Sequence, residues 1–254
     1  MERTLIVSDL HLGASNSEGG ALLALLQLRF DRLILNGDTV DHLDFRRFRP
    51  CDWRVVQRLQ LIAQERELVL IRGNHDAPPR ADRDAGRLNL LARLVGAEVR
   101  EEFVLEVGVR NYLVLHGDQF DDTMNLTRVG AMADSCYRVL QRCNRSVATW
   151  AKQGVKRWTG AATAVQERAV AHARQLGFDG VIAGHTHFCA DEHVGDIHYL
   201  NSGCWVDWPC TYLCAEAGGI HLRLWQQRQP GTTPIHAVEH VEPAPAETRE
   251  LVTV

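Results

Sequence analysis

The sequence lacks an apolar run long enough to cross a membrane. Near its start the longest wholly apolar run is Ala21–Leu26, whereas a spanning helix needs about 20 such residues. The chain also lacks an excess of positive charge, because 28 Lys and Arg stand against 32 Asp and Glu, a net charge of -4. The first residues show no features of a secretion signal. We therefore expect a cytoplasmic protein that does not span a bilayer and is not drawn to nucleic acid by its overall charge.

None of the seven cysteines lies in a Cys-x-x-Cys pair, so the ligand pattern of structural zinc sites and of redox motifs is missing. We therefore expect free, buried thiols. Repeats of the solenoid or propeller kind are missing too. With 254 residues, of which 45% are hydrophobic and 24% charged, the chain has the composition of a globular protein with a substantial core.

Short aliphatic runs alternate with segments of helical periodicity, and this alternation predicts an α/β fold. Turn residues at positions 107–110 and 217–219 predict that part of the second half of the sheet is antiparallel. The predicted strands are Thr4–Ser8, Arg32–Asn36, Leu68–Arg72, Glu102–Glu106, Asn111–Leu115, Gly180–Ala183, Ile197–Leu200, Thr211–Cys214 and Ile220–Leu224. The predicted helices are Gly20–Phe30, Asp52–Gln64 and Ala81–Leu94. We expect residues 226–254, which lack apolar periodicity, to form a poorly ordered tail.

Five of the predicted strands end in residues that can bind a metal ion. These ends are Asp9-Leu10-His11, Gly37-Asp38, Gly73-Asn74-His75-Asp76, His116-Gly117-Asp118 and Gly184-His185-Thr186-His187. Each motif alone is a weak signal, because Gly-Asp is a common turn and most single histidines bind no metal. Sites in α/β sheets form at the carboxyl ends of strands, however, so five motifs in order indicate one site. Oxygen and imidazole ligands without a thiolate favour Mn, Fe, Zn or a similar divalent ion.

This ordered set of motifs resembles the calcineurin-like metallophosphoesterase superfamily. The resemblance implies a four-layer α/β sandwich with a helical cap insertion and a hydrolase with two divalent metal ions, commonly Mn, with Zn, Fe and Ni as alternatives. It implies one ion held by Asp9, His11, Asp38 and His187 and another held by Asp38, Asn74, His116 and His185, so that Asp38 bridges them. Two such ions can polarise a phosphoryl oxygen and activate water for in-line attack.

His75 lies beside a ligand but is assigned to neither ion, so we expect it to donate a proton to the leaving oxygen or to stabilise the phosphoryl charge. The carboxylate of Asp76 either fixes the tautomer of His75, as a second catalytic residue, or caps the loop. Asp118 either orients a ligand histidine or caps its loop. Asp41 is interpreted as a turn cap, together with His42 and Asp44. The basic residues Arg46, Arg47 and Arg49 either meet a phosphate or form a solvated surface.

The long segment between the fourth and fifth motifs predicts a helical cap inserted at about 119–175 into a metallophosphoesterase domain of residues 1–225. Between Gln119 and Gln175 nine Lys and Arg stand against four Asp and Glu, which makes this segment +5 in an acidic protein. Its helical periodicity places apolar residues on one side and basic residues on the other. Such a cap either covers a site for an anionic, partly lipidic substrate, lies on an anionic membrane surface, or is an ordinary surface helix. The candidate substrate-binding residues are Arg142, Arg145, Lys152 and Lys156.

Three further stretches resemble the UDP-2,3-diacylglucosamine diphosphatase-like branch of the superfamily. They are 115–121, Tyr137–Arg145, and 199–206 together with Cys210-Thr211. This resemblance implies hydrolysis of UDP-2,3-diacylglucosamine to UMP and 2,3-diacylglucosamine 1-phosphate in lipid A synthesis, at the inner face of the membrane. Two positions depart from the pattern: His75 stands where the diphosphatases have Arg, and Cys204 stands where a sister group has an acidic residue.

Three alternatives stay open at this point. The same catalyst can act on another phosphodiester or phosphomonoester. A nuclease would need a basic groove along the catalytic motifs to bind nucleic acid, whereas the basic residues are concentrated in the predicted cap. A scaffold that has lost its metals would show substituted ligands, whereas all seven predicted ligands are present. The expected partners are therefore a phosphorylated small-molecule or lipid substrate and an anionic membrane surface, without nucleic acid.

Overall fold

The computed structural model describes residues 2–41, 45–76, 85–121 and 148–225, without the side chains of 85–89, 148–159 and 161. Two mixed β-sheets carry the fold. The six-stranded sheet has the order β11-β10-β1-β2-β3-β4. Its strands are β1 (Thr4–Val7), β2 (Arg32–Asn36), β3 (Glu67–Ile71), β4 (Val99–Arg100), β10 (Thr211–Glu216) and β11 (Gly219–Leu224). Strands β1 to β4 are parallel, while β10 and β11 are antiparallel to their neighbours.

The five-stranded sheet has the order β5-β6-β7-β9-β8. Its strands are β5 (Glu102–Val107), β6 (Arg110–Leu115), β7 (Gly180–Ala183), β8 (Ala190–Val194) and β9 (Ile197–Asn201). Strands β6, β7 and β9 are parallel, and β5 and β8 pair antiparallel at the two edges. The described helices are α1 (Gly19–Leu25), α2 (Pro50–Glu65), α3 (Ala85–Val95) and α4 (Ala148–Leu176).

The two sheets pack face to face, and helices cover their outer faces. Alternate side chains of a strand point to opposite faces, and in β1 this sends Leu5 and Val7 into the core that contains α1, α2 and α3. Ile6, between them, lies in the core shared by the two sheets. On the far side, α4 packs Ala169 and Ala173 against the second sheet. The layers are therefore helix, sheet, sheet and helix, which confirms the predicted α/β sandwich.

Most predicted elements appear in the structure, and their ends differ for local reasons. Helix α2 begins two residues before the predicted start because Pro50 occupies its first turn and the Asp52 carboxylate accepts the main-chain N–H of Arg49 at 2.8 Å. Helix α1 ends at Leu25 rather than Phe30, because the chain turns there to join β2. The main-chain N–H groups of Asp31 and Arg32 both donate to the carbonyl of Arg3 at that junction.

Strands β4 and β8 are not predicted by the sequence. Strand β8 is a mostly exposed edge strand of polar composition, so it has no apolar run to reveal it. It is held to β9 by pairing and by the imidazole of His198, whose Nε2–H donates to Asp191 Oδ1 at 2.8 Å. This hydrogen bond lowers the pKa of Asp191.

Several sequence-based predictions fall partly outside the described residues. Residues 122–147, with Arg142 and Arg145, and residues 226–254 lie outside them, and Lys152 and Lys156 lie in α4 where side chains are not described. The last part of the predicted cap insert, around Ala169 in α4, belongs to the core. The described helices include none that is both long and apolar enough for a membrane span.

The prediction of free, buried thiols holds for three of the described cysteines. Cys204, Cys210 and Cys214 are buried and free, and Cys51 is half-buried. Cys189 is exposed, so the prediction is wrong for that residue.

Candidate functional site

The predicted metal ligands lie in loops at the carboxyl ends of five parallel strands. Asp9 and His11 follow β1, Asp38 follows β2, and Asn74 follows β3. In the second sheet His116 follows β6, while His185 and His187 follow β7. The main-chain N–H of His185 donates to Oδ2 of Asp9 at 3.1 Å, which joins the two sheets at this edge. The structure therefore brings all seven predicted ligands to one place.

Five of these residues have left-handed backbone conformations. Asp9, His11, Asp38, His185 and His187 have φ values of 55°, 44°, 50°, 64° and 63°, and they are all the non-glycine residues with positive φ in the part of the chain that the structure describes. Such conformations cost about 1–3 kcal/mol each and cluster at functional sites. The rest of the fold must therefore hold these tight turns, which point the side chains toward one another.

Asp38 lies at the centre of the cluster. Its Oδ1 accepts the main-chain N–H of His75 at 2.7 Å. Its Oδ2 lies 3.6 Å from Nε2 of His11 and 3.4 Å from Nε2 of His116. One oxygen is thus held by the main chain, while the other faces one histidine from each predicted ligand set.

Asp9, His11 and His187 form the first group of candidate ligands. Oδ1 of Asp9 lies 3.2 Å from Nε2 of His187 and 3.8 Å from Nε2 of His11, and the two imidazole nitrogens are 3.3 Å apart. One ligand atom from each of these three residues lies within 4.8 Å of the others, and the same is true of Asp9, Asp38 and His116. The two groups share Asp9, so the described residues offer two adjoining sets of potential metal ligands.

Two of the predicted ligand histidines are oriented by a hydrogen bond on one ring nitrogen. The Nδ1–H of His116 donates to the main-chain oxygen of Asn36 at 2.9 Å, which leaves Nε2 directed at Asp38. His185 donates from Nε2 to Oδ2 of Asp121 at 2.9 Å, and its Nδ1 lies 3.1 Å from Oδ1 of Asn74. Metal-binding histidines are commonly held in this way. The sequence indicated either this orienting role or loop capping for Asp118, and it did not indicate Asp121, which makes the contact with His185.

Two glycines are required where loops pass close to the cluster. Gly37 has a φ of 87°, and a Cβ at this position would lie 2.2 Å from Nδ1 of His116. A Cβ at Gly73 would lie 2.2 Å from the main-chain nitrogen of Asp38. Both glycines therefore allow their loops to pass closer to the cluster than a residue with a side chain could.

The electrostatics of the cluster favour a bound cation. Oδ1 of Asp9 and Nε2 of His116 are buried and make no hydrogen bond within the described residues, and leaving such atoms unpaired costs about 1–3 kcal/mol each. Burial alone would lower the pKa of His116, but the Asp38 carboxylate raises it to about 10. Burial likewise opposes protonation of His187, yet Asp9 raises the pKa of His187 well above its usual value. Carboxylate, amide and imidazole donors in this field fit divalent ions such as Mn, Fe or Zn.

His75 lies beside this cluster and is held by Asp41. The Nδ1–H of His75 donates to Oδ1 of Asp41 at 3.0 Å, and Arg47 forms an ion pair with the other oxygen of Asp41. The ring of His75 packs edge-on against that of His11, with centroids 4.6 Å apart. From the sequence Asp41 is interpreted as a turn cap, whereas in the structure it contacts His75, 34 positions away, and no local sequence pattern indicates that contact.

Asp76 has the loop-capping role rather than the catalytic one. Its two oxygens accept the main-chain N–H groups of Val40 and Gly73, both at 3.0 Å, so it joins the loops after β2 and β3. Burial raises its pKa to about 7. The expectation that Asp76 orients His75 is therefore corrected: in this tight turn its carboxylate is turned to the main chain, and Asp41 contacts the imidazole instead.

Asp118 and Arg49 also have structural partners. Oδ2 of Asp118 accepts a hydrogen bond from Nη1 of Arg72 at 3.2 Å, and among the described residues no hydrogen bond joins Asp118 to a predicted ligand histidine. Arg49 donates to the carbonyls of Ser15 and Ser17 and to the first turn of α2. The phosphate contact considered for Arg49 is thus replaced by a role in holding two loops together. Arg46 is exposed.

Comparison with known proteins places the chain in a family. The family model described as calcineurin-like phosphoesterase matches residues 2–189. No curated protein sequence matches the chain significantly.

Three solved structures illustrate the more distant similarities. Yfce, a phosphoesterase from E. coli, is 17% identical, with 84% of this chain and 87% of that chain covered and a TM-score of 0.46. Vps29 from Chaetomium thermophilum is 11% identical over 91% and 93% of the two chains, with a TM-score of 0.48. An archaeal phosphodiesterase is 14% identical over 87% and 99%, with a TM-score of 0.43. The family match rather than these similarities carries the assignment: the chain belongs to the calcineurin-like phosphoesterase family and is a metal-dependent phosphoester hydrolase.

Proposed function

We propose that the chain hydrolyses phosphoesters with two divalent ions held by the seven residues gathered at the sheet edge. One ion is assigned to Asp9, His11, Asp38 and His187, and the other to Asp38, Asn74, His116 and His185. The observation that carries this proposal is the position of Asp38 Oδ2, at 3.6 Å from His11 and 3.4 Å from His116. A carboxylate oxygen between one imidazole of each set is the arrangement that a shared ligand requires.

When bound, the two ions supply positive charge to the phosphoryl oxygens and activate water for in-line attack. The chain's own residues supply the proton transfer that the reaction also needs. His75 uses Nδ1 to bond Asp41, and we assign to Nε2, its other ring nitrogen, the donation of a proton to the leaving oxygen. The carboxylate of Asp41 favours the protonated imidazole, because it places a negative charge 3.0 Å from Nδ1.

Within this reaction class we propose UDP-2,3-diacylglucosamine as the substrate, cleaved at its diphosphate to UMP and 2,3-diacylglucosamine 1-phosphate. Two features support it: the resemblance of stretches 115–121 and 199–206, and the +5 charge of residues 119–175 in a chain of net charge -4. A basic, partly apolar segment is suited to a diphosphate that carries two acyl chains. Arg142, Arg145, Lys152 and Lys156 are the proposed substrate contacts, and the inner face of the membrane is the proposed location.

A second candidate is hydrolysis of another phosphodiester by the same centre. The observation that favours it is His75, which stands where the diphosphatases of the branch have Arg. Its contact with Asp41 makes His75 a proton donor that an Arg, always charged, would not be.

One assay separates the two candidates. The purified protein is given UDP-2,3-diacylglucosamine in detergent micelles, with and without Mn²⁺, and UMP release is measured beside hydrolysis of bis-(p-nitrophenyl) phosphate. We expect Mn²⁺-dependent UMP formation. Hydrolysis of the aryl phosphodiester alone would overturn the lipid substrate and leave the second candidate. Asp38→Asn is the inactive control, and Asp191→Asn, which removes a carboxylate on β8, is the matched variant expected to keep its activity.

A further inference from the structure

A second cluster of potential ligands adjoins the candidate metal site. It consists of His187, Cys204 and Asp207, and one ligand atom from each lies within 4.8 Å of the other two. The thiol of Cys204 interacts with the imidazole of His187, and Cys204 is only 6% exposed. Oδ1 of Asp9, which is buried and has no hydrogen bond within the described residues, lies 3.2 Å from Nε2 of His187. His187 is thus shared between an oxygen-rich group of ligands and a group that contains sulfur.

The loop that carries Cys204 is held rigidly against the metal site. Its Gly203 has a φ of 73°, and its main-chain N–H donates to the side chain of Asn201 at 3.0 Å. The carbonyl of Gly203 accepts from Ser8 at 2.8 Å. On the other side of Cys204, the main-chain N–H of Trp205 donates to the carbonyl of Asp9 at 3.1 Å. Since both neighbours of Cys204 are bonded to residues around β1, the thiol is placed beside His187 by the fold.

We propose that His187, Cys204 and Asp207 form a third cation position, one that takes soft or borderline divalent ions such as Cd²⁺ and Zn²⁺. Thiolate sulfur prefers these ions to Mn²⁺, whereas the carboxylate and imidazole ligands of the neighbouring site accept all of them. Binding is a simple exchange: the ion forms a bond to sulfur, and the thiol proton leaves to solvent. No oxidation or reduction takes place.

This inference rests on the proposed function only in that it shares His187 with one of the two assigned ions. An ion at the third position draws His187 away from Asp9 and His11, so it competes with the first ion of the pair. The chain is then activated by Mn²⁺ and inhibited by an excess of Zn²⁺ or Cd²⁺. Cys204 accounts for this difference between Mn²⁺ and the softer ions, because it supplies the thiolate ligand.

Cadmium itself is the probe, because a Cd–thiolate bond has an ultraviolet charge-transfer absorption that needs no catalytic turnover. The full chain, loaded with Mn²⁺, is titrated with Cd²⁺ as the wild type, as Cys204→Ser and as Cys189→Ser. The Cys189 variant is the matched control, because it removes an exposed thiol instead of the buried one. We expect an absorption that saturates with a single Cd²⁺ in the wild type and the control and is lost in Cys204→Ser.

Asp207→Asn provides an independent variant, because Asp207 is exposed and its replacement leaves the core intact. We expect it to weaken Cd²⁺ binding by at least about tenfold, since loss of groups that only support a metal ligand already costs about 10–100-fold in affinity. An unchanged absorption in Cys204→Ser, or equal loss in the Cys189 control, would overturn the third position. If the Cd²⁺ absorption is observed but the protein has no phosphoesterase activity, the proposed function is rejected and the third cation position is retained.

Discussion

Replacement of Asp41 by Asn tests whether the contact between Asp41 and His75 serves catalysis. Asp41 is buried, one of its oxygens accepts the Nδ1–H of His75 at 3.0 Å, and the other is paired with Arg47. Asn has the same shape but no charge, so the imidazole keeps its place and loses the carboxylate that stabilises its protonated form. Asp41 acts through His75 and is therefore a positioning residue.

The size of the effect follows from the hydrogen bond that is changed. A hydrogen bond to a charged group contributes about 1.5–3 kcal/mol, and each 1.36 kcal/mol corresponds to a factor of ten in rate. If the hydrogen bond contributes this free energy to the transition state, its loss lowers kcat by about 10- to 150-fold. The metal ligands are unchanged, so we expect the bound Mn²⁺ per chain to stay the same.

The assay is steady-state hydrolysis of bis-(p-nitrophenyl) phosphate by the wild type, Asp41→Asn, His75→Gln and the double variant, with metal content measured on the same samples. We expect the double variant to be no slower than His75→Gln alone, because Asp41 has nothing to position once the imidazole is gone. In the pH profile of kcat, the limb that depends on His75 should shift to lower pH in Asp41→Asn, which keeps the imidazole but removes the neighbouring negative charge, and should be absent in His75→Gln. Full additivity of the two losses, or a rate for Asp41→Asn within twofold of the wild type, would refute the reasoning.

Four further predictions concern other parts of the chain. Asp38→Ala should lose both ions and turnover, measured by elemental analysis and rate, and retention of one-tenth of the wild-type rate would contradict the bridging role. His75→Ala should keep its metal and lower kcat by about 10²–10⁴-fold in the same assays; an unaltered rate would remove it from the mechanism. The hydrogen bond from His198 lowers the pKa of Asp191 from 3.8. The Asp191 carboxylate therefore stabilises the folded protein at neutral pH, and this stabilisation is lost as the pH falls through the lowered pKa. Asp191→Asn should therefore cost no more than about 1 kcal/mol at pH 7, given its partial exposure, and thermal unfolding at acid pH should show no difference from the wild type. Charge reversal at Arg142 and Arg145 should weaken binding to anionic vesicles in a sedimentation assay, and undiminished binding would assign that segment to ordinary solvent contact.

The strands next to the site could be predicted from the sequence because their signals are local. The strands Arg32–Asn36 and Gly180–Ala183 have the predicted bounds, since each is a short aliphatic run that ends at a turn residue. Strand β8 could not be predicted, because an exposed edge strand is defined by its partner and not by its own composition. The start of β2 is likewise held by a distant partner, because the main-chain N–H groups of Asp31 and Arg32 both donate to the carbonyl of Arg3.

The candidate ligands were also readable in the sequence, because each follows a strand and the parallel strands of a sheet end at the same edge. What the sequence by itself determined about this protein is therefore its α/β class and the residue types that gather at that edge. Which side chains meet was decided only by the tertiary structure. His75 is bonded to a carboxylate 34 positions earlier rather than to its neighbour Asp76, and His185 to Asp121, 64 positions away. The physical reason is that a hydrogen bond depends on the direction of two side chains, and that direction is set by the turns and by the packing of the two sheets, which no local pattern records.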